Sequence, residues 1–219
     1  MAIPMRLLVL GAALCVTAVL SAAPQAPPAP AALADLIQRH YDAVQSFTAE
    51  FTHTFRGGVL PQVTTEKGTV RIRKPGRMHW TYNAPNEKEF VADGKSLFSY
   101  IKADRTCYVS QVPADDRAST AALFLAGKGN LTRDFRAASA PAGAGEWRVQ
   151  LTPMTPQAEF TQLTIGVDPR TFVMMSIETT DADGGVSAFR FSNLKENVAI
   201  PDRDFLFTPP KGVDVQIIR

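Results

Sequence analysis

The chain has 219 residues, 45% of them hydrophobic and 20% charged, with a formal net charge of +2. A balance this close to neutral excludes the strongly basic surface by which nucleic acids are bound. Its length, once a short N-terminal segment is set aside, suits a single domain.

That N-terminal segment, residues 1–23, reads as a secretory signal. Arg6 supplies the positive charge, Leu7–Leu20 is an uncharged apolar run, and small residues follow at Ser21, Ala22, Ala23 and Ala26. The run is too short to span a bilayer comfortably as a helix. The cut is expected between Ala22 and Ala26, and residues 24–32, PQAPPAPAA, read as a disordered Pro/Ala-rich leader. The single domain then covers residues 33–219. Cys15 leaves with the signal, so Cys107 has no internal disulfide partner and the core must carry the fold. Cys107 itself reads as an inert, half-buried strand residue.

One helix comes first: Leu33, Leu36, Ile37, Tyr41 and Val44 form a single apolar stripe. The period then changes to two, with Phe47, Ala49, Phe51 and Phe55 alternating with polar residues. Strand patterns recur over 68–74, 78–82, 89–92, 96–102, 105–112, 147–152, 160–167, 172–179 and 186–194. Turn residues separate them at Asp93-Gly94, Pro141–Gly145, Asp168-Pro169 and Asp183–Gly185. A second helical pattern spans Asp115–Gly129. The expected fold is mainly β: a curved antiparallel sheet with a few helices on one side.

Signs of catalysis are sparse. His40, His53 and His79 lack a His or Cys at zinc-ligand spacing, so no metal site is expected. Gly94-Lys95-Ser96 ends like a phosphate loop, but Glu89 stands where the leading glycine is required. No serine sits in a nucleophile elbow. Asp115-Asp116 suits a helix start, and Asn130-Leu131-Thr132 fits a glycosylation acceptor by chance. Two strands, Ser96–Ile101 and Phe172–Ile177, are apolar on both faces. They suit either a core packed under helices or a cavity for flexible hydrocarbon, to which Met174 and Met175 would adapt.

Several segments together resemble the periplasmic outer-membrane lipoprotein carrier family, LolA. Val44–Phe55 (VQSFTAEFTHTF) is similar to that family's first helix-to-strand passage. Gly68–Tyr100 is similar to its central block: a Gly-initiated strand, a basic-Pro pair, a Trp strand, Asp-Gly-Lys and an aromatic strand. Phe205–Val215 (FLFTPPKGVDV) resembles its closing motif. The resemblance implies an unclosed antiparallel β-barrel with an α-helical lid over an apolar cavity. It implies a chaperone that takes acylated lipoproteins from an inner-membrane ABC transporter to an outer-membrane receptor. It also implies a monomer without enzymatic activity or cofactor. A carrier or sensor of another lipid or glycolipid would share the same fold.

Parity sorts the stretch GTVRIRKPGRMHWTY, Gly68–Tyr82. A three-residue loop over Pro75–Arg77 would pair Lys74 with Met78 and Ile72 with Trp80, leaving apolar residues on one face. Arg71 and Arg73 are then expected in water. Lys74 falls on the apolar face, where it either snorkels to solvent or, as the resemblance implies, replaces the family's arginine that ties the sheet to the lid. A lysine there would offer a point charge rather than a planar fork. The residues expected to line the cavity are Phe51, Phe55, Val70, Ile72, Met78 and Trp80. Leu123, Phe124 and Leu125 are expected on the lid, and Lys74 is the candidate latch.

Burial of hydrocarbon contributes about 0.8 kcal/mol per methylene, so three acyl chains total roughly 30 kcal/mol against a practical ceiling near 20 for noncovalent affinity. A carrier of such cargo therefore needs an energy-driven donor and a cavity that opens.

Overall fold

A computed structural model of the chain describes residues 26–59, 62–112, 124–141, 143–157 and 159–218. The expected signal, residues 1–23, lies outside them. Helix α1 spans Pro30–Ala43 and buries Leu33, Ala34, Ile37, Gln38 and Tyr41. The expected leader is therefore shortened: Pro30–Ala32 already belong to the helix. Proline fits the first turn because its missing N–H would have no intrahelical partner there.

Among the described residues twelve strands follow in one sheet: β1 Ser46–Arg56, β2 Val63–Arg73, β3 Arg77–Tyr82, β4 Lys88–Asp93, β5 Ser96–Ile101, β6 Thr106–Gln111, β7 Phe135–Ser139, β8 Trp147–Pro153, β9 Gln162–Val167, β10 Met174–Thr180, β11 Val186–Glu196 and β12 Asp214–Ile217. Their order is β12-β6-β5-β4-β3-β2-β1-β11-β10-β9-β8-β7, so the sheet has two edges and is not closed. Every pairing is antiparallel except that of β12 with β6. The sequence pattern misses β7 and β12, which are short and mostly exposed and so lack a clear alternation. Of the expected helix Asp115–Gly129, residues 113–123 lie outside the described part and residues 124–125 are helical.

A four-residue helix, α2, covers Leu131–Asp134. The Asn130 carboxamide caps it by accepting from the Thr132 and Arg133 N–H groups. Leu131 N–H donates to the buried Gln38 Oε1 at 2.8 Å and fastens α2 to α1.

The β2–β3 register corrects the expected hairpin. Arg73 pairs with Arg77, Ile72 with Met78 and Val70 with Trp80, so the loop is Lys74–Gly76. Gly76 takes φ +72°, the left-handed last position that closes a three-residue loop and lets Arg77 start the next strand. A shift of two residues keeps side-chain parity, so the apolar residues still share a face.

The two faces are covered differently. Helix α1 and residues 124–126 pack on the inner face, with Phe51, Val70, Ile72, Met78 and Trp80 in the same core cluster. The outer face is crossed by the segment from Ile200 to Phe207, which includes a 3-10 helix at Asp202–Phe205. Phe205, Val91 and Cys107 are fully buried. Phe207 sits 5.7 Å from Phe98 and 5.8 Å from Tyr100 between ring centroids. Burial pushes the Cys107 thiol up, away from the thiolate that reacts.

The cations expected in water are therefore under a cover. Arg73 donates to the Ile200 carbonyl at 2.7 Å, pairs with Asp202 and lies 5.1 Å from the Phe205 ring centroid. Arg71 lies 3.8 Å from Asp204, and His79 Nδ1 donates to the Asp204 carbonyl at 2.8 Å. A basic face with unpaired donors recruits the acidic 3-10 segment that follows β11.

Candidate functional site

The inner wall is built by alternation. Phe51 on β1, Val70 and Ile72 on β2, and Met78 and Trp80 on β3 are 0–4% exposed. Gly68 makes room for this packing, since a Cβ there would lie 2.6 Å from the Phe51 ring. Phe51 then reaches Trp80 at 5.2 Å and Tyr82 at 4.8 Å between centroids. Sequence reasoning misses Phe189 and Phe191, which alternate around Arg190 in β11 and complete the aromatic layer. Phe189 stands 5.3 Å and Phe191 6.4 Å from Trp80. The Trp80 indole N–H is buried without a hydrogen-bond partner among the described residues. An unmet buried donor costs about 1–3 kcal/mol.

Phe55 departs from this wall. It lies on the far stretch of β1, is 37% exposed, and is paired with the half-buried Thr64 on β2. The β1–β2 pair outruns the covered part of the sheet, so strand parity alone does not bury Phe55. Near that end, polar groups interrupt the inner face. His53 Nε2 lies 2.8 Å from Ser187 Oγ, the Tyr82 hydroxyl 3.3 Å from His53 Nδ1, and Lys88 donates to Glu66 at 2.8 Å. Burial holds the His53 imidazole below its usual range, partly offset by Glu66.

At the opposite end, α1 and residues 124–126 are joined to the β2–β3 loop. The Lys74 ammonium donates to the Tyr41 carbonyl and stands 3.4 Å from the Tyr41 ring centroid. That carbonyl belongs to the last turn of α1, where the dipole favours a cation. Tyr41 in turn stacks on Phe124 at 5.2 Å and donates its hydroxyl to the Leu125 carbonyl. Gly76 N–H donates to the Ala126 carbonyl at 2.8 Å. Gly127, at φ +88°, lets the Lys74 stem pass, because a Cβ there would lie 3.0 Å from Lys74 Cγ and Cδ. Burial pulls the Lys74 ammonium down to about 8, against the opposing pull of Asp42 and Glu196.

Phe124 and Leu125 are fully buried, and Leu123 lies outside the described residues. Between α1 and strands β1, β10 and β11, a cavity touching Ile37, Tyr41, Met174 and Phe191 measures about 10 Å³, room for about one water. Among the described residues no cluster of His, Cys, Asp or Glu could hold a metal ion, and no helix is long and apolar enough to cross a membrane.

Comparison with known proteins gives one consistent result. Residues 42–208 match the family described as outer membrane lipoprotein carrier protein LolA. The chain is 32% identical over 193 residues to the outer-membrane lipoprotein carrier protein of Cupriavidus pinatubonensis, covering 86% of this chain and 89% of that one. It is 35% identical over 160 residues to the protein of the same description from Bordetella pertussis, covering 72% and 74%. Its fold is similar to an uncharacterized conserved protein from Thermus thermophilus, with a TM-score of 0.50 at 10% identity over 85% of this chain and 98% of that one. An unclosed sheet with an apolar, helix-covered face thus meets a family of carriers rather than of enzymes: the chain belongs to the outer-membrane lipoprotein carrier protein family.

Proposed function

We propose that this protein is a periplasmic chaperone that carries acylated lipoproteins from an inner-membrane ABC transporter to an outer-membrane receptor, as a monomer and without catalysis. The observation that carries this reading is the asymmetry of the inner face. An apolar wall lies under a cover whose polar ties, among the described residues, include Lys74 to the Tyr41 carbonyl, His40 Nε2 at 2.9 Å from Glu196 Oε1, the Tyr41 hydroxyl to the Leu125 carbonyl, and Gly76 N–H to the Ala126 carbonyl.

A water needs about 10–15 Å³. The cavity beneath α1 is of that order, far too small for an acyl chain. For a chain to enter there, α1 must move off the wall. Cargo then replaces side-chain contacts with hydrocarbon contacts, at about 0.8 kcal/mol per buried methylene. Phe51, Val70, Ile72, Met78 and Trp80 line the acyl-chain site, Phe55 sits at its exposed mouth, and Leu123, Phe124 and Leu125 belong to the lid. Lys74 is the latch. An ester or amide carbonyl of the cargo gives the Trp80 indole N–H an acceptor that it lacks among the described residues.

The test is made in the host. Depleting the protein is expected to leave lipoproteins in the inner membrane, and a photo-crosslinker at Met78 is expected to capture them. Normal outer-membrane delivery on depletion would sink the carrier reading. A missing adduct alone would remove Met78 from the site. Recovery of a different lipid with the native protein would reassign the cargo.

A further inference from the structure

The loop Lys74–Gly76 and the turn between β4 and β5 lie side by side at one end of the sheet. A Cβ on Gly76 would come within 3.6 Å of the Gly94 Cα. Together they frame an open groove of about 530 Å³ whose charged groups are Arg73, Lys74, Arg77, Lys95, Asp93 and Asp202. Two of the four cations are already paired: Arg73 with Asp202, and Arg77 with the same carboxylate at 3.3 Å. Asp93 is occupied by the Lys95 and Ser96 backbone N–H groups, each at 2.8 Å. Neither the Lys95 ammonium nor that of Lys74 has a carboxylate within ion-pair distance among the described residues. Lys74 donates to a neutral carbonyl over a ring face, with Asp42 and Glu196 acting on its charge from beyond ion-pair distance.

We propose that this groove docks an acidic segment of a partner protein, and that docking loosens the lid by drawing the Lys74 ammonium away from the Tyr41 carbonyl. A carboxylate is a stronger acceptor for an ammonium than a backbone carbonyl is. Lys95 supplies the first contact at the rim and Lys74 the second. Because Lys74 lines the groove and also ties α1, occupancy of the groove and attachment of α1 draw on one charge. Such a shared group makes the coupling reciprocal: an opened lid frees Lys74 and strengthens docking. A peptide fits better than an anionic membrane surface. Asp93 and Asp202 repel a sheet of phosphates, whereas a peptide can set carboxylates on the lysines and direct N–H groups at the two aspartates.

The proposal rests on the carrier reading only in treating α1 as a cover that opens. The experiment uses the full chain without lipid, so its outcome is independent of transport. An oligoglutamate peptide is titrated in, and amide hydrogen exchange is followed over Ile37–Val44. Binding that weakens with added salt is expected, together with exchange about 5-fold or more faster in the bound form. Lys95→Ala should weaken binding several-fold and leave exchange in the absence of peptide unchanged. Lys74→Met should still bind through Lys95 but lose the response of α1. No binding, unchanged exchange in the bound form, or full affinity in Lys95→Ala would each overturn the proposal. Binding to phosphatidylglycerol vesicles but not to the peptide would also overturn it, and would assign the groove to a membrane surface.

Discussion

Arg73 and Lys74 are neighbours, yet each anchors a different cover. Arg73 faces outward and grips the segment Ile200–Phe207 with its planar fork, through a carbonyl, a carboxylate and an aromatic face. Lys74 faces inward and holds α1 by one donated hydrogen bond and a ring face. The outer seam adds Arg71, Arg77 and His79, all directed to Asp202 or Asp204. Ties of this number hold a segment firmly, whereas α1 meets the sheet through fewer charged side chains, the Lys74 point charge and His40, whose Nε2 lies 2.9 Å from Glu196 Oε1. One sheet thus carries a cover on each face, the outer one tied by more charged groups than the inner, and on the carrier reading proposed above it is the inner one that lifts.

The sharpest way to break this contrast is to weaken the outer seam. Phe205 is fully buried, so Phe205→Ala removes a core aromatic and should cost about 3–5 kcal/mol in urea unfolding. The same variant should leave hydrogen exchange over α1 unchanged relative to the global opening rate. Preferential loosening of α1 would show that the two covers are not independent.

A smaller effect separates the neighbours directly. Arg73→Met takes the donor from the Ile200 carbonyl and the cation from the Phe205 ring, leaves Asp202 with Arg77 alone, and should lower global stability by about 1–3 kcal/mol. Lys74→Met also breaks a hydrogen bond, but it removes a half-buried charge, and the two changes oppose one another. Its global stability should change by no more than about 1 kcal/mol, while exchange at Ile37–Val44 accelerates. If Lys74→Met proves as damaging as Arg73→Met, Lys74 is a structural post rather than a latch.

What can be read in the sequence follows the range of each signal. Alternation is local, so it places Val70, Ile72, Met78 and Trp80 on one face even with the hairpin register off by two. Parity is blind to such a shift. The same alternation marks Arg71 and Arg73 as facing the other side, but it carries no information about a segment some 130 residues later that covers them. Acidic residues in Asp202–Phe205 are the available hint. Phe55 fails for a related reason: period two assigns a face and not the point at which the cover ends. Lys74 stands out because it breaks the polar-out pattern, yet its acceptor, a backbone carbonyl at the end of α1, has no signature in residue type. Phe189 and Phe191 are legible in the triplet FRF, but a strand pattern alone does not say which face of β11 meets Trp80.

The smallest expected effect concerns pH. Burial lowers the folded-state Lys74 to about 8, below the ordinary lysine value of 10.5. The closed fold therefore binds its proton less tightly than the unfolded chain does. Below about pH 8 both states are protonated, and the cost of burying the charge is fully present and constant. As pH rises from about 8 towards 10.5, the closed form gives up its proton first, the unfolded chain holds more protons, and stability rises. The gain is discounted by solvent, because the ammonium is only partly buried. Other lysines and tyrosines titrate in the same window, so the quantity to measure is the urea stability of the wild type minus that of Lys74→Met. That difference should be flat from pH 6 to 7.5 and climb between about pH 8 and 10. A fall over the same interval would mean that Lys74 gains more from its carbonyl, ring and acidic neighbours than it loses to burial. The tie to α1 would then be a strong one, closer in kind to the Arg73 seam than to a latch.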